Sequence, residues 1–301
     1  AEGVGVSEVL AASFPDFLDN RLRAFMVSSF LAFDLGDLDE LASTLYDGGD
    51  GFGGPEVFVT NGYDRVAAHL ADGLEVVVGD PVVQVVDDTT GVTVRTASGD
   101  HVADAVVVTV PLGVLKADVI TFDPPLPAAT VEAIDAVGFG NADKFLFMWD
   151  EPFWDDTDLI VYTPDRLDVF AYIVNLDALV PGSAALITFA YADEALASES
   201  RTDDEMIELM MVHLRDVYGP DTPQPRAMRR SAWGVDPFTR GSYSFPSTTT
   251  EMRHFDQLAT PHGRIHFAGE HTNREHFAST HGAYLSGVRA ADEIMAADRQ
   301  T

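Results

Sequence analysis

The residues with the clearest capacity for chemistry lie near the C-terminus, where a short apolar run ends in glycine. The run from Ile265 to Ala268 predicts a buried strand, and Gly269 permits the sharp turn that follows it. A polar loop then leads to a helix that begins near Gly282. This arrangement suits an anion or the electron-rich edge of a ring, because backbone N–H groups and the positive end of the helix dipole point outward there.

A lysine forms a second candidate. Lys116 and Lys144 are the only lysines among 18 basic residues. Lys144 opens an apolar run to Trp149 that alternates poorly, so we expect this strand to be buried on both faces with the lysine at its entrance. Such a lysine is either an edge residue whose ammonium group reaches solvent or a buried functional amine.

Two aromatic residues form a third candidate. Trp233 and Tyr243 are separated by a turn rich in proline and glycine, so both side chains can return to one pocket. Aromatic walls exclude water, and a ring face attracts a cation. The pocket that this spacing predicts would suit an amine.

Several segments, in the right order, resemble motifs of the flavin amine oxidase family, which includes polyamine oxidases, monoamine oxidases and lysine-specific histone demethylases. They are TVPLGVLK after a valine-rich block, GFGNADKFLFMWDEPFW, WGVDPFTRGSYS, and FAGEHT followed by THGAYLSGVRAA. The resemblance implies FAD as cofactor and the oxidation of a polyamine or another amine to an imine. A hydride would pass to flavin N5 and dioxygen would reoxidise the flavin, giving aldehyde, amine or ammonia, and hydrogen peroxide.

The resemblance also implies roles for single residues. Lys144 would hold a water against N5, and Tyr243 and Trp233 would form the aromatic site. The implied cofactor-binding residues are Val82, Trp233, Gly269, Glu270, Ser279, Thr280 and Ala283. Among these, Val82 would meet the adenine through its backbone, although from the residues alone it is an ordinary sheet valine. Glu270 would bind the ribityl and ribose portion of FAD.

At two serines this sequence departs from the pattern of some family members, and one histidine has two possible roles. Ser242 stands where some relatives carry a cysteine bonded to flavin, so we expect non-covalent FAD. Ser279 replaces an aromatic wall residue, which implies a wider mouth or a bulkier amine. His281 is interpreted as structural in preference to a general base.

The expected fold is α/β (α+β), a two-domain flavin amine oxidase-like fold. Residues 1–48 and 117–232 would form a substrate domain of helices and mixed sheet, and residues 49–116 and 233–301 an FAD-binding domain that lacks its N-terminal Rossmann βαβ unit. Helices are predicted over residues 1–45, Asp203–Val217 and Ala283–Ala297. Strands are predicted over Leu74–Val78, Val82–Val86, Val92–Thr96 and Val102–Val110. The last helix would pack on the strand before Gly269 through Leu285, Val288, Ala291 and Met295.

A dinucleotide loop of the form GxGxxG after a strand is missing from this sequence. The glycine-rich stretch Asp47–Pro55 has neither a strand before it nor a helix after it, and it predicts a flexible connection. The resemblance covers the C-terminal two thirds of a family member. We therefore expect the remaining Rossmann segment to be a separate or cleaved chain, or to be deleted.

The composition of the chain excludes several classes of binding partner and site. A net charge of -31 argues against nucleic acid and anionic membranes and favours a small cationic amine. The acidic segment Asp34–Glu40 predicts a solvated helix end. Without cysteine we expect neither disulfides nor a thiolate metal site, and no metal site is predicted. An apolar run of about 18 residues and a signal peptide are both missing, which favours the cytoplasm and leaves secretion open.

Two alternatives stay open. The chain could be a non-catalytic acidic binding or scaffold protein of the same fold, which a flavin absorbance spectrum would separate from the oxidase. It could also be a related flavoenzyme such as an L-amino acid oxidase, which needs an arginine for the substrate carboxylate. Arg240 is a candidate for that arginine.

Overall fold

The computed structural model describes residues 3–16, 36–45, 59, 61–88, 90–161, 170 and 172–299. The helices are α1 (Val6–Ser13), α2 (Asp64–Leu70), α3 (Leu112–Lys116), α4 (Ala128–Ala136), α5 (Leu176–Leu179), α6 (Ala192–Glu199), α7 (Asp203–Tyr218), α8 (Met252–Ala259) and α9 (Thr280–Asp298), with a 3₁₀ turn at Glu270–Thr272. The strands are β1 (Val82–Asp87), β2 (Val92–Thr96), β3 (Asp100–Ala103), β4 (Val106–Val108), β5 (Thr121–Asp123), β6 (Gly138–Gly140), β7 (Ala142–Met148), β8 (Leu159–Val161), β9 (Tyr172–Asn175), β10 (Ala185–Tyr191), β11 (Ala227–Arg230), β12 (Tyr243–Phe245) and β13 (Ile265–Phe267).

The larger sheet has five antiparallel strands in the order β11-β7-β10-β9-β8. Burial alternates along β7, with Asp143, Phe145 and Phe147 buried and Lys144 exposed. The prediction that this strand is buried on both faces is therefore wrong. Its alternation is hidden in the sequence because Leu146, on the same face as Lys144, is also apolar.

Helix α7 covers the buried face of that sheet. Thr202 and Glu205 form a capping box at its start, which satisfies backbone N–H groups that have no acceptor within the helix. Met206 and Met210 are fully buried in the core that also contains the phenylalanines of β7, and the helix predicted over Asp203–Val217 is confirmed. The methionines fill irregular space in this core.

A second sheet has the order β3-β2-β1-β5, and beside it β4 pairs in parallel with β13. Two hairpin turns connect strands of this sheet: β1 pairs with β2 across a turn closed by Asp88 and Gly91, and β2 pairs with β3 across a turn at Gly99. A core cluster that includes Val85, Val108 and Phe267 joins the two sheets. This core fixes β13, whose end carries the turn at Gly269.

Two predicted strands in this region are wrong or shorter than expected. Residues 74–78 form no strand, and Val76, Val77 and Val78 are 63, 61 and 85% exposed. The run Val102–Val110 is divided into β3 and β4. An apolar run becomes a strand only beside a partner, and in the described part of the chain nothing pairs with residues 74–78.

The N-terminal region is less helical than predicted. Helix α1 is present, whereas residues 36–45 form turns in which the fully buried Leu41 bridges to Ser247. The rest of the predicted helix, between residues 17 and 35, and the stretch Asp47–Pro55 lie outside the described residues. Within the residues that are described, no helix combines the length and the apolar character needed to cross a bilayer.

Candidate functional site

The turn after β13 requires glycine. Gly269 has φ 141°, and a Cβ atom there would come within 2.5 Å of the His271 ring. The Gly269 N–H donates to Ser286 Oγ at 2.8 Å, and its carbonyl accepts from the Thr272 N–H at 3.0 Å. The strand, the 3₁₀ turn and α9 are thereby fastened to one another at a single residue.

Glu270 projects from this turn and is half-buried. Its Oε1 accepts from the Ser244 N–H at 3.0 Å, and its Oε2 accepts from Ser244 Oγ and the Ala278 N–H, each at 2.6 Å. Burial raises the pKa of Glu270, and the three hydrogen bonds oppose that rise. The sequence did not single out Ser244, although it follows Tyr243 directly within one motif.

Ser279 is the N-cap of α9. Its Oγ accepts from the Gly282 N–H at 3.0 Å and donates to the His276 carbonyl at 2.6 Å. Thr280, the first residue of the helix, is exposed, and its Oγ1 is hydrogen-bonded to the Tyr63 hydroxyl at 2.8 Å. Residues 269, 270, 279, 280 and 283, all predicted to bind the cofactor, thus lie around the beginning of one helix.

The face of α9 that meets the core differs from the predicted one. The buried positions are Gly282, Ser286 and Ala290, whereas Leu285 and Val288 are 38 and 43% exposed. Small residues and the Ser286 hydroxyl let the helix approach the turn closely, which apolar periodicity alone does not reveal. The apolar side that includes the exposed Tyr284, Leu285, Val288 and Met295 faces outward.

Lys144 lies beside an aromatic surface on the large sheet. It is the cross-strand partner of Phe189 in β10, so the two side chains share a face. Phe189 stacks on Tyr191 with ring centroids 6.0 Å apart, and the hydroxyl groups of Tyr191 and Tyr172 are hydrogen-bonded at 2.8 Å. Tyr243 packs against the same cluster, which we call the aromatic face.

Sequence reasoning missed three members of the aromatic face, Tyr172, Phe189 and Tyr191. The alternation of Ile187, Phe189 and Tyr191 along β10 was the signal that could have found the last two.

The two aromatic residues predicted to share a pocket occupy different places. Tyr243 lies in β12, paired with Gly140 and packed on the aromatic face. Trp233 is 43% exposed on a turn outside that cluster, closed by a 3.0 Å hydrogen bond from the Gly241 N–H to its carbonyl. On the same turn the exposed Arg240 donates through Nε to the Pro237 carbonyl at 3.2 Å.

Ser242 and Val82 have backbone roles. Ser242 Oγ accepts from the Ala142 N–H at 2.8 Å and donates to the Ala142 carbonyl at 3.2 Å, which joins β12 to β7. Val82, in β1, packs on the core cluster that contains Ile265 and Phe267. It is therefore connected through that core to the turn at Gly269.

A cavity of about 500 Å³ adjoins the aromatic face at Phe245 and is rich in carboxyl groups. Asp37, Glu40 and Asp193 are among its lining residues. Burial and the Asp193 carboxylate raise the pKa of Asp37 to about 6, and burial raises that of Glu40. Such a lining attracts cations.

Comparison with known proteins places these features in a family. The sequence model of the family described as flavin containing amine oxidoreductase matches residues 7–295. Polyamine oxidase 4 of Oryza sativa subsp. japonica is 33% identical over 277 residues, which cover 92% of this chain and 56% of that protein. Lysine-specific histone demethylase 1 homolog 3 of Arabidopsis thaliana is 35% identical over 263 residues, which cover 81% of this chain and 16% of that protein.

A solved structure shows the same fold. Wild-type putrescine oxidase bound to putrescine superimposes with a TM-score of 0.80 at 21% identity, covering 98% of this chain and 68% of that one. The flavin amine oxidase-like α/β fold predicted from the sequence is thereby confirmed. The chain spans about half the length of the polyamine oxidase that it matches.

Proposed function

The chain belongs to the flavin-containing amine oxidoreductase family, and on that premise we propose that it forms the amine-binding side and part of the cofactor side of an FAD-dependent amine oxidase. FAD is the cofactor of this family. The observation that carries the proposal is the position of β12, where Tyr243 joins the aromatic face and the next residue, Ser244, holds Glu270.

The residues around Glu270 fit FAD. Each carboxylate oxygen has two acceptor positions, and Oε1 uses one of them for the Ser244 N–H, so it can accept from a hydroxyl group of the ribityl or ribose portion. The accessible N-terminus of α9 would stabilise negative charge on a reduced flavin ring through its positive dipole end. Ser242 is engaged with the Ala142 backbone, which agrees with non-covalent attachment. FAD supplies the hydride acceptor at its N5 atom.

The amine would lie against the aromatic face. Tyr172, Phe189, Tyr191 and Tyr243 exclude water and present ring surfaces to an alkylamine. The neighbouring carboxyl-lined cavity would raise the local concentration of a cationic polyamine. In this arrangement the carboxyl groups attract the protonated amine, and the water-poor aromatic surface favours the neutral amine that is oxidised.

Lys144 would donate a hydrogen bond to a water at the edge of this site. It is a cation on the same sheet face as Phe189, and its exposed side chain is free to reach a cofactor seated there. We expect Lys144→Met to lower the rate of amine-dependent flavin reduction by about 100-fold with FAD still bound. Arg215→Met, on the far side of the sheet in α7, should leave that rate unchanged.

The test is anaerobic stopped-flow reduction of the holoenzyme, with flavin absorbance measured on mixing with aliphatic diamines and with a methyl-lysine peptide. Reduction by one class and not the other identifies the substrate class. An unchanged rate in Lys144→Met removes the role given to Lys144. If the whole enzyme, as purified, shows no flavin absorbance, the proposed function is refuted.

We further propose that a dinucleotide-binding segment, on this polypeptide or a second one, covers an apolar surface of this chain. Val76, Val77 and Val78 lie next to α2, which contributes the exposed Val66 and Leu70. Exposed apolar surface of this kind marks a site of association. Intact mass and a denaturing gel of the native protein test this, because FAD bound at full occupancy to a 301-residue chain alone would refute it.

A further inference from the structure

A buried carboxyl group lies beneath the turn that carries Trp233. Asp143, in β7, has no exposed surface. Its Oδ1 accepts from Ser231 Oγ at 2.8 Å and from the Trp233 N–H at 3.3 Å. Asp143 therefore attaches the beginning of the turn to β7.

A second carboxyl group attaches the rest of the same turn. Glu199, the last residue of α6, accepts from the Gly234 N–H at 2.6 Å through Oε1 and from the Val235 N–H at 2.8 Å through Oε2. Bonds from N–H groups to an ionised carboxylate are short and strong. Three consecutive N–H groups of the turn, from Trp233 to Val235, are thus held by two acidic side chains.

The two carboxyl groups lie next to each other, because they accept from the consecutive N–H groups of Trp233 and Gly234. Asp143 Oδ2 is buried, and no N–H or O–H group of the described chain donates to it. Two neighbouring carboxyl groups, of which Asp143 is fully buried and Glu199 half-buried, repel each other when both are ionised, whereas a proton on Asp143 Oδ2 lets that oxygen donate to Glu199. Burial raises the pKa of Asp143 to about 7, and Glu199 adds to that rise while Ser231 opposes it.

Among the described residues, no neighbouring cation takes the place of that proton. The cross-strand partner of Asp143 in β10 is Ala190, and Lys144 projects from the opposite face of β7. Two arginines near the end of α6 are paired with other carboxylates. These are Arg230 with Asp203 at 3.0 Å and Arg201 with Glu194 at 3.5 Å.

We propose that Asp143 and Glu199 share one proton and act as positioning residues that hold the Trp233 turn against β7 while the proton is bound. When solvent base removes the proton, two carboxylates face each other without a donor between them. The end of α6 then separates from β7, and the turn, bonded to both, loosens. This clamp does not depend on the proposed function, whereas its effect on amine oxidation rests on the cofactor-binding role that the family resemblance implies for Trp233.

The experiment is hydrogen exchange of the holoenzyme across neutral pH, corrected for intrinsic rates, with protection followed at Gly234 and Val235. Tryptophan emission is a second readout, with Trp233→Phe subtracted to remove the buried Trp149 and Trp154. We expect protection to fall about tenfold or more as pH rises through the pKa of Asp143, since one pKa unit corresponds to a tenfold change.

Variants separate the shared proton from simple packing. Asp143→Asn keeps a neutral group that donates to Glu199, so protection should stay high and lose its pH dependence. Asp143→Ala should lower protection at every pH. Asp80→Asn is the control and should leave the protection at Gly234 and Val235 and its pH dependence unchanged. Asp80 also holds a turn, through the Ser98 N–H at 3.2 Å, but its pKa is lowered by the Ser98 and Thr96 hydroxyl groups.

A flat wild-type profile, or a pH step that persists in Asp143→Asn, would overturn the clamp. If Asp143→Asn removes the pH step in protection but amine-dependent flavin reduction shows no matching step in the wild type, the clamp is supported and the cofactor-binding role implied for Trp233 is refuted. The failure of one inference is thus distinguishable from the failure of the other.

Discussion

Replacement of Ser244 by alanine tests whether the carboxylate at the candidate flavin site is held as the structure shows. Ser244 is 1% exposed, and its hydroxyl donates to Glu270 Oε2 at 2.6 Å. The Ser244 N–H and the Ala278 N–H keep their bonds in the variant. A hydrogen bond to a charged group contributes about 1.5–3 kcal/mol, so Ser244→Ala should lower the free energy of unfolding by about 2 kcal/mol when Glu270 is ionised.

The loss should depend on pH with a definite sign. Burial already raises the pKa of Glu270 above its value in the unfolded chain, so the folded protein binds the proton more readily and loses stability as pH rises. Removing a donor to the carboxylate raises that pKa further. The variant should therefore lose about 2 kcal/mol on the alkaline side and about 1 kcal/mol at mildly acidic pH, where a bond to a neutral group is lost.

The assay is urea unfolding of the holoenzyme at a mildly acidic and at an alkaline pH, which gives the free energy of unfolding at each. Ser286→Ala is the matched control. Ser286 is also buried, and its hydroxyl accepts from the Gly269 N–H and donates to the Ala283 carbonyl, both neutral groups. Its replacement should cost about 1 kcal/mol at either pH. Equal losses at both pH values for Ser244→Ala would refute the bonding assigned to Glu270.

Two other perturbations probe the same region. Gly282→Ala places a Cβ atom against the His276 carbonyl, so it should lower the free energy of unfolding by about 1–3 kcal/mol. Gly287→Ala is the control, because a Cβ atom there meets open space on the same helix, and it should raise that free energy by up to about 1 kcal/mol. Thermal denaturation measures both. Burial, with Arg289 adding to it, lowers the pKa of His271 to about 4, so the unfolded chain binds more protons below its ordinary pKa. Stability should fall by about 3 kcal/mol as pH drops through that range, and a pH profile of His271→Gln without this slope would confirm the cause.

Local patterns predicted the parts of the fold that depend on near neighbours. The spacing of Met206, Met210 and Leu214 and the glycines of the hairpin turns specify α7 and the β1–β2–β3 meander, because these elements are determined by residues close in sequence. Residues 74–78 carry an equally apolar pattern but form no strand, since strand formation depends on a partner.

Candidate site residues were predictable where a motif carried them, as with Glu270 and Tyr243. The residues that position them could not be predicted. The contact of Asp143 with Glu199 joins residues far apart in the chain, and an aspartate before Lys144 gives no sign of it. The inward face of α9 was mispredicted for a related reason, because Ser286 packs by hydrogen bonding to Gly269 and apolar spacing does not register that.

Two consecutive residues of β12 would serve different ligands in the proposed site. Tyr243 would border the space for the amine, whereas Ser244 holds the carboxylate that would bind the flavin's sugar chain. An inhibitor that pushes Tyr243 aside must strain the Ser244 attachment and loosen the cofactor. By thermodynamic reciprocity, enzyme stripped of its cofactor would then bind that inhibitor more tightly by the same factor.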